Sequence, residues 1–299
     1  MQIGFSTLVC PDWDLEHVIS AAAELGFDGV ELRGLRGELE LPLVPSLSRD
    51  PAHVRQMFSE KKVACVSLGT SVTLTSRGAR ELANQKAALI EVMELASALG
   101  CPNVRLFMGD IGATDTQSAA RVRIAGALGS LVEVATRLNV RLLVENGGDF
   151  PSSRDLWFVI DSVSHPMVQA CWNQCNALAA RERATNSLPR LGTKIGLVHV
   201  CDAEFDADGV LLDYCPLGQG GAQVSRQIEI LRGLLYEGYL VFEWPKRWVP
   251  SLAGAETILP QVATYLRECV DEKQAVLSAY KNDKKVPRLA KHSAPTSAS

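Results

Sequence analysis

The sequence predicts a single (β/α)8 barrel, and three observations lead to this fold class. The chain has 299 residues, a length that fits one barrel of about 250 residues with a short extension. Hydrophobic residues make up 47% of the sequence and charged residues 21%, which supports a large core and excludes a wholly disordered chain. Short β-branched apolar runs alternate with longer helix-period segments along almost the whole chain.

Eight apolar runs are predicted to be strands. Each is apolar on both faces, as expected of parallel strands covered by helices. They are Ile3–Leu8, Gly29–Arg33, Val63–Leu68, Val104–Met108, Arg141–Glu145, Val168–Trp172, Ile195–Val200 and Tyr239–Trp244. The main amphipathic stretches between them are Asp14–Leu25, Ala79–Leu99, Ser118–Leu138 and Val224–Tyr236. Eight strand–helix units in series favour a closed barrel. An open doubly wound sheet is the alternative, but the first turn lacks the Gly-rich sequence typical of that fold.

The end of the chain differs from the rest in composition. We predict that residues 1–280 form the barrel and that 281–299 form a basic, disordered tail. The tail carries five basic residues and one acidic residue, so within a formal net charge of −4 the barrel itself carries −8. An acidic body argues against a nucleic-acid groove. No apolar run approaches the ~18 residues of a membrane span, so no membrane-spanning segment is expected.

Cysteine usage and the start of the chain bear on the compartment. The eight cysteines lack C-x-x-C spacing, and most lie in apolar runs, as buried thiols do. The first residues, Met1–Phe5, show no basic segment followed by an apolar stretch, so no signal peptide is expected. Together these features predict a protein of the reducing cytoplasm.

Polar residues at the predicted strand ends are the candidates for chemistry, because barrel enzymes place their sites there. Glu145, His199 and Glu243 each follow an apolar run and converge on one end of the barrel. Two converging carboxylates repel unless a cation or a shared proton compensates. An imidazole with carboxylates suits a divalent ion such as manganese, cobalt, zinc or magnesium. Glu31 and Arg105 lie toward the ends of other predicted strands. For Glu31 the alternative is a solvated position at the rim of the barrel, and for Arg105 the alternative is a structural ion pair.

A set of short motifs in a fixed order resembles the xylose isomerase-like TIM barrels, which include sugar and sugar phosphate isomerases and epimerases. The motifs are 22–33 (AAELGFDGVELR), 144–146 (VEN), 198–202 (VHVCD), 217–220 (LGQG), 242–244 (FEW) and 244–248 (WPKRW). The resemblance covers residues 1–275. It implies one divalent metal held by Glu145, position 173, His199 and Glu243, at the ends of strands five to eight.

Position 173 departs from the family pattern, because this chain has Asn173 where the family has Asp. An amide oxygen can coordinate a hard cation, but it is neutral and a weaker ligand than a carboxylate. The segment after it reads Gln174-Cys175-Asn176 where histidines are common, and Cys201 stands where Lys is common. The metal site is therefore expected to be degenerate, with weak or absent metal binding.

The resemblance implies a metal-dependent isomerase or epimerase acting on a keto-sugar or polyol. Glu145 and Glu243 would act as a pair, one removing a proton and the other returning it through an enediolate. The expected substrate-binding residues are Arg105, Asp202, Trp244 and Lys246. For Trp244, core packing is the alternative role. The segment 218–221 (GQGG) is similar to a phosphate cradle, but without a following Lys-Ser it also fits a tight turn.

Two other functions stay open at this stage. Because of Asn173, the chain could be a catalytically weakened or inactive sugar-binding paralogue or subunit. The same superfamily includes apurinic-site endonucleases, but these need a trinuclear zinc cluster with several histidines. Of the five histidines here, only His199 lies at a predicted strand end, which disfavours the nuclease. Related barrels commonly dimerise, so a homo-oligomer is also expected.

Overall fold

Eight parallel strands close into a barrel, which confirms the predicted fold class. The computed structural model describes the backbone of residues 1–283 and the side chains of residues 1–271. The barrel strands are β1 (Gln2–Ser6), β2 (Gly29–Leu32), β3 (Ala64–Thr73), β4 (Asn103–Phe107), β5 (Arg141–Glu145), β6 (Val168–Asn173), β7 (Ile195–Val200) and β10 (Tyr239–Phe242). Their order around the barrel is β1-β10-β7-β6-β5-β4-β3-β2, and β1 pairs with both β10 and β2 to close it.

Helices follow the strands and cover the outside of the barrel. They are α1 (Leu15–Glu24), α2 (Pro45–Ser48), α3 (Pro51–Glu60), α4 (Ala79–Leu99), α5 (Gln117–Gly129), α6 (Val132–Leu138), α7 (Ser153–Val163), α8 (Gln174–Leu178), α9 (Ala184–Leu191), α10 (Val224–Gly233) and α11 (Ala255–Asp283). The Asp14 side chain caps α1 by accepting the His17 N–H, and Gly100 ends α4 in the left-handed conformation, as such residues do.

Several predicted boundaries were wrong. The first strand ends at Ser6 because Thr7–Val9 turn into a short 3-10 helix. The third strand runs on to Thr73, and the last one ends at Phe242. The predicted single helix Ser118–Leu138 is two helices, which are separated at residues 130–131 after Gly129.

A hairpin that the sequence analysis did not predict follows β7. It consists of β8 (Asp202–Phe205) and β9 (Leu211–Cys215), which pair antiparallel outside the barrel. Helix α11 continues three residues past the predicted end of the barrel at residue 280. The rest of the predicted tail, residues 284–299, lies outside the described residues. Within residues 1–283, no helix is both long and apolar enough to cross a membrane.

The barrel interior is apolar in its middle and polar at the C-terminal ends of the strands, which we call the mouth. One buried interior layer comes from five strands and consists of Val66, Leu143, Cys171, Leu197 and Val241. Because alternate residues of a strand face the same side, the residues two positions after the last four of these, Glu145, Asn173, His199 and Glu243, lie above this layer. In this way the strands direct a ring of polar side chains into the mouth.

Candidate active site

The four predicted metal ligands meet at the mouth. Oε1 of Glu145 lies 2.9 Å from Nδ1 of His199, and Oε1 of Glu243 lies 3.7 Å from the same nitrogen. The amide of Asn173 donates to Oε1 of Glu145 at 3.2 Å and to Oε2 of Glu243 at 2.8 Å. The side chains of Glu145 and His199 are at most 1% exposed, whereas that of Glu243 is 16% exposed. Glu243 is therefore the member that a molecule entering the mouth meets first.

Asn173 has a second task that fixes its orientation. Its Oδ1 accepts the backbone N–H groups of Cys175 at 3.0 Å and Asn176 at 3.4 Å, which caps helix α8. The Cys201 thiol also donates to this oxygen, at 3.5 Å. With the oxygen held there, the NH₂ group faces the two glutamates, and an amide NH₂ is a donor with no lone pair to offer a cation.

Glu31 belongs to the site, although the sequence left open whether it was a solvated rim residue. It is fully buried, and its Oε2 lies 3.2 Å from Nε2 of His199. The rim alternative was wrong because Glu31 faces the barrel axis rather than solvent. His199 thus lies between two carboxylates, Glu31 on one ring nitrogen and Glu145 on the other.

The charges in the mouth shift one another's ionisation. Burial opposes the charged imidazolium, but the neighbouring Cys171 and the three glutamates outweigh it and raise the pKa of His199 well above its usual value. Burial likewise opposes ionisation of Glu31, yet His199 and Arg105 lower its pKa to about 2. The same two cations lower the pKa of Glu145 despite its burial. For Glu243, burial dominates and raises the pKa to about 7.

Arg105 forms the structural ion pair that the sequence left as one of two alternatives. Its Nε lies 3.2 Å from Oε2 of Glu145, and both side chains are 1% exposed. Its Nη1 donates to the Thr70 carbonyl at 3.1 Å, and the guanidinium lies 4.4 Å from the centre of the Phe107 ring. Arg105 therefore neutralises the most buried side of the glutamate cluster.

Asp202, predicted to bind substrate, holds a loop. It is fully buried, and its carboxylate accepts four backbone N–H groups at 2.9–3.0 Å: those of Ala203, Gly218, Gly220 and Ala222. The Gly-rich segment 218–221 thus cradles a carboxylate of the protein itself. A Cβ at Gly220 would lie 2.4 Å from Oδ1 of Asp202, so the close approach requires glycine there.

Two other predicted substrate-binding residues also have partners within the protein. Trp244 is 2% exposed, and its indole N–H donates to the Ala253 carbonyl at 3.0 Å. The Lys246 ammonium donates to the carbonyls of Pro250 and Leu252. Both residues thereby hold the loop between β10 and α11. For Trp244 this is the alternative role of core packing that the sequence left open.

A group of metal-ligating side chains lies within this cluster. Ligand atoms of Glu145, Cys171 and His199 all lie within 4.8 Å of one another, and all three residues are buried. Cys171 is one of the cysteines that lie in apolar runs, and it packs in the apolar interior layer below the mouth, as expected of a buried thiol. Burial raises the pKa of the Cys171 thiol to about 12.

The fold and the site can be set beside known proteins. A family model described as the xylose isomerase-like TIM barrel matches residues 19–269. The chain belongs to this family. A comparison with curated proteins finds no match, so the solved structures supply the individual relatives.

Three solved structures are similar over most of this chain. A zinc-bound IolI protein covers 91% of this chain and 99% of its own, with 17% identity and a TM-score of 0.80. An L-ribulose 3-epimerase covers 96% and 99%, with 15% identity and a TM-score of 0.76. The 3-keto-D-glucoside 4-epimerase YcjR from E. coli covers 90% and 100%, with 16% identity and a TM-score of 0.72. At these identities the likeness is one of fold.

Proposed function

We propose that this chain is a metal-dependent isomerase or epimerase that acts on a keto-sugar or related polyol. The observation that carries the proposal is the convergence of Glu145, His199 and Glu243 at the mouth, where barrel enzymes place their chemistry. Solved structures of the same fold include an L-ribulose 3-epimerase, a 3-keto-D-glucoside 4-epimerase and a zinc-bound protein, which supports this class of reaction.

Glu145 and His199 lie at a spacing that fits a divalent cation, and Glu243 lies beside the same imidazole nitrogen. Ligands about 2.1 Å from one ion lie about 3 to 3.5 Å apart, by the geometry of tetrahedral and octahedral sites. The distances from His199 Nδ1 to the Glu145 and Glu243 oxygens, 2.9 and 3.7 Å, are close to this spacing. Catalytic metal sites often have three protein ligands and leave a position for substrate. Asn173 would be a fourth ligand only if its oxygen left the α8 cap.

Proton transfer is assigned to the two glutamates. When bound, the cation polarises the substrate carbonyl and acidifies the neighbouring C–H. Glu243, which is partly exposed and has a pKa of about 7, is suited to take a proton from substrate at neutral pH and to give one back. Glu145 acts from the more buried side, where Arg105 holds its carboxylate. With a cation bound, Glu31 would accept the Nε2 proton of His199 and so leave Nδ1 as the ligand atom that faces the site.

One observation favours a second function, that of a sugar-binding paralogue with weakened or lost catalysis. The Asn173 amide donates to Glu145 and Glu243, so it occupies the space where a fourth ligand would face the cation. A protein with this arrangement can keep the sugar-binding mouth while holding the cation poorly. Both functions predict a small-molecule partner.

The experiment that separates the two functions is solvent deuterium exchange. The protein is incubated in deuterium oxide with manganese and a panel of ketoses, and carbon-bound deuterium is measured by NMR. We expect exchange with at least one sugar and a loss of at least 100-fold in Glu243→Gln, because general acid–base groups contribute about 10²–10⁴-fold.

Glu204→Gln is the matched control, since Glu204 is exposed on the hairpin and is expected to leave the rate unchanged. Sugar binding without exchange at saturating manganese would favour the paralogue. Equal rates in the wild type and Glu243→Gln would refute the assigned role.

A further inference from the structure

Arg33 is a buried cation whose charge no carboxylate within residues 1–271 neutralises by contact. The residue is 5% exposed and follows directly after β2. Its Nη2 donates to the Ser71 hydroxyl at 2.7 Å, and its Nη1 lies 3.5 Å from the Leu39 carbonyl. Among residues 1–271, no carboxylate oxygen lies within 4 Å of its guanidinium nitrogens. Buried charges in proteins are normally paired, so this arrangement calls for a partner from outside the chain.

The Arg33 side chain lies beside Arg105 at the mouth. The two flank Gly69 of β3, where a Cβ would lie 2.6 Å from Cδ of Arg33 and 3.1 Å from Nη2 of Arg105. Only a residue without a side chain leaves room for both arginines at this point. Nη2 of Arg105 has no hydrogen-bond partner within residues 1–271. The neighbouring guanidinium groups of Arg33 and Arg105 therefore have N–H donors available at the edge of the glutamate cluster.

We propose that Arg33 and Ser71, with Arg105 beside them, bind an oxyanion group of the substrate, so that the sugar is an acidic one. This inference rests on the proposed function, because it places the reacting carbons of that sugar at Glu243. A guanidinium has five N–H donors in a planar fork that matches carboxylate and phosphate oxygens. A carboxylate and a phosphate share this chemistry, and the experiment distinguishes them.

The charges of the side chains that lie in the mouth agree with an anionic ligand. Glu31, Glu145 and Glu243 supply three negative charges, and Arg33 and Arg105 supply two positive ones. With a divalent cation bound and His199 as its neutral ligand, the mouth carries a net charge of +1. A singly charged anionic substrate then leaves the buried site neutral, which lowers the cost of burying it. A neutral sugar would leave one positive charge uncompensated.

The experiment measures binding of three classes of six-carbon sugar by isothermal titration calorimetry in the presence of manganese. The probes are glucuronate, fructose 6-phosphate and fructose. We expect the wild type to bind at least one anionic probe at least tenfold more tightly than fructose, and the comparison of the two anions identifies the oxyanion. In Arg33→Met we expect the anionic probe to bind at least tenfold more weakly, with fructose binding changed less than twofold. Arg36→Met, at an exposed position three residues on, is the matched control and is expected to change neither.

Thermal stability separates a binding role from a structural one. Because Arg33 contacts no carboxylate within residues 1–271 and Met keeps an apolar stem of similar length, we expect the Tm of Arg33→Met to stay close to that of the wild type. A lowered Tm with unchanged binding of the anions would mark a structural role and refute the inference. Failure of every probe to bind, or equal binding of fructose and the anions, would refute it as well. Deuterium exchange into a neutral ketose with no preference for anions would refute the subsite and leave the proposed function standing. Arg33-dependent anion binding with no deuterium exchange into any sugar would support the subsite and refute the proposed function.

Discussion

Replacing Asn173 by Asp is expected to convert a weak cation site into a tight one. In the native chain the amide NH₂ lies between Glu145 and Glu243 and donates to both. An aspartate of the same shape would keep one oxygen on the N–H groups that cap α8 and turn the other toward the two glutamates. Three carboxylates then face one another across a space that a divalent cation fills.

The structure gives the size of the effect. To admit a cation, the native amide gives up two hydrogen bonds to carboxylates, at 3.2 and 2.8 Å. Hydrogen bonds to charged groups contribute about 1.5–3 kcal/mol each, so about 3–6 kcal/mol opposes binding in the native chain and is absent in Asn173→Asp. At 1.4 kcal/mol per tenfold, this corresponds to about 100- to 20,000-fold in Kd. In Asn173→Asp without metal, the three carboxylates repel one another, which further favours binding of a cation.

The measurement is titration calorimetry of the metal-stripped protein with manganese at constant pH. Asn173→Asp is expected to bind at least 100-fold more tightly than the wild type, and its Tm to rise with manganese as binding to the folded state requires. Asn176→Asp is the control, because it adds the same charge at the half-buried position whose amide bonds to the Asn146 carbonyl, away from the glutamates. Kd values for Asn173→Asp and the wild type within threefold of each other would refute the reasoning.

Three further predictions follow from contacts of the site. Glu31→Gln, made in the tight-binding variant, should weaken manganese binding about 10- to 100-fold, because it removes the carboxylate that orients His199; an unchanged Kd in calorimetry would contradict this. Asp202→Ala should lower the free energy of unfolding by about 3 kcal/mol or more, since four buried N–H groups lose their acceptor. Urea denaturation tests it against Glu204→Ala, exposed on the same strand and expected to change stability by less than about 0.5 kcal/mol. Trp244→Phe should cost about 1–2 kcal/mol, because the indole N–H loses a carbonyl acceptor and that carbonyl its donor; a stability equal to the wild type would show that the bond contributes nothing.

The barrel could be predicted from sequence because strands buried on both faces read as continuous apolar runs. The boundaries were less predictable where an apolar run and a strand end at different places. Thr7 and Leu8 continue the first run but lie in a 3-10 turn. The third strand continues into polar residues such as Thr70 and Ser71, which no apolar run could reveal. The hairpin was missed because the exposed polar residues Glu204 and Asp213 interrupt its two short strands.

The convergence of side chains at the mouth was predictable where a side chain's direction follows from its position on a strand. Glu145, His199 and Glu243 each come two residues after an interior apolar residue, and this period of two aims them into the mouth. Glu31 carries the same signal, since it follows the inward-facing Gly29. This period of two could therefore have excluded a solvated rim position for Glu31 from the sequence alone.

Roles that depend on loops could not be predicted in this way. The direction of the Asn173 amide depends on α8 starting at the next residue, and a helix of five residues leaves no periodic signal. Asp202 follows a strand, as catalytic residues do, but its partners are backbone N–H groups of a loop some twenty residues further on. Sequence identifies a charged side chain but not the backbone groups that satisfy it.

The contact between Glu31 and His199 joins residues that are 168 positions apart in the chain. Their strands, β2 and β7, are not neighbours in the sheet, so the contact crosses the lumen and forms only when both halves of the barrel have come together. A contact between residues so far apart in sequence requires a long segment of chain to close first, which is intrinsically slow. A half-barrel intermediate, however native its strands and helices, would hold neither the imidazole nor the carboxylates in position. A ligand that needs both Glu31 and His199 therefore binds only to the closed barrel.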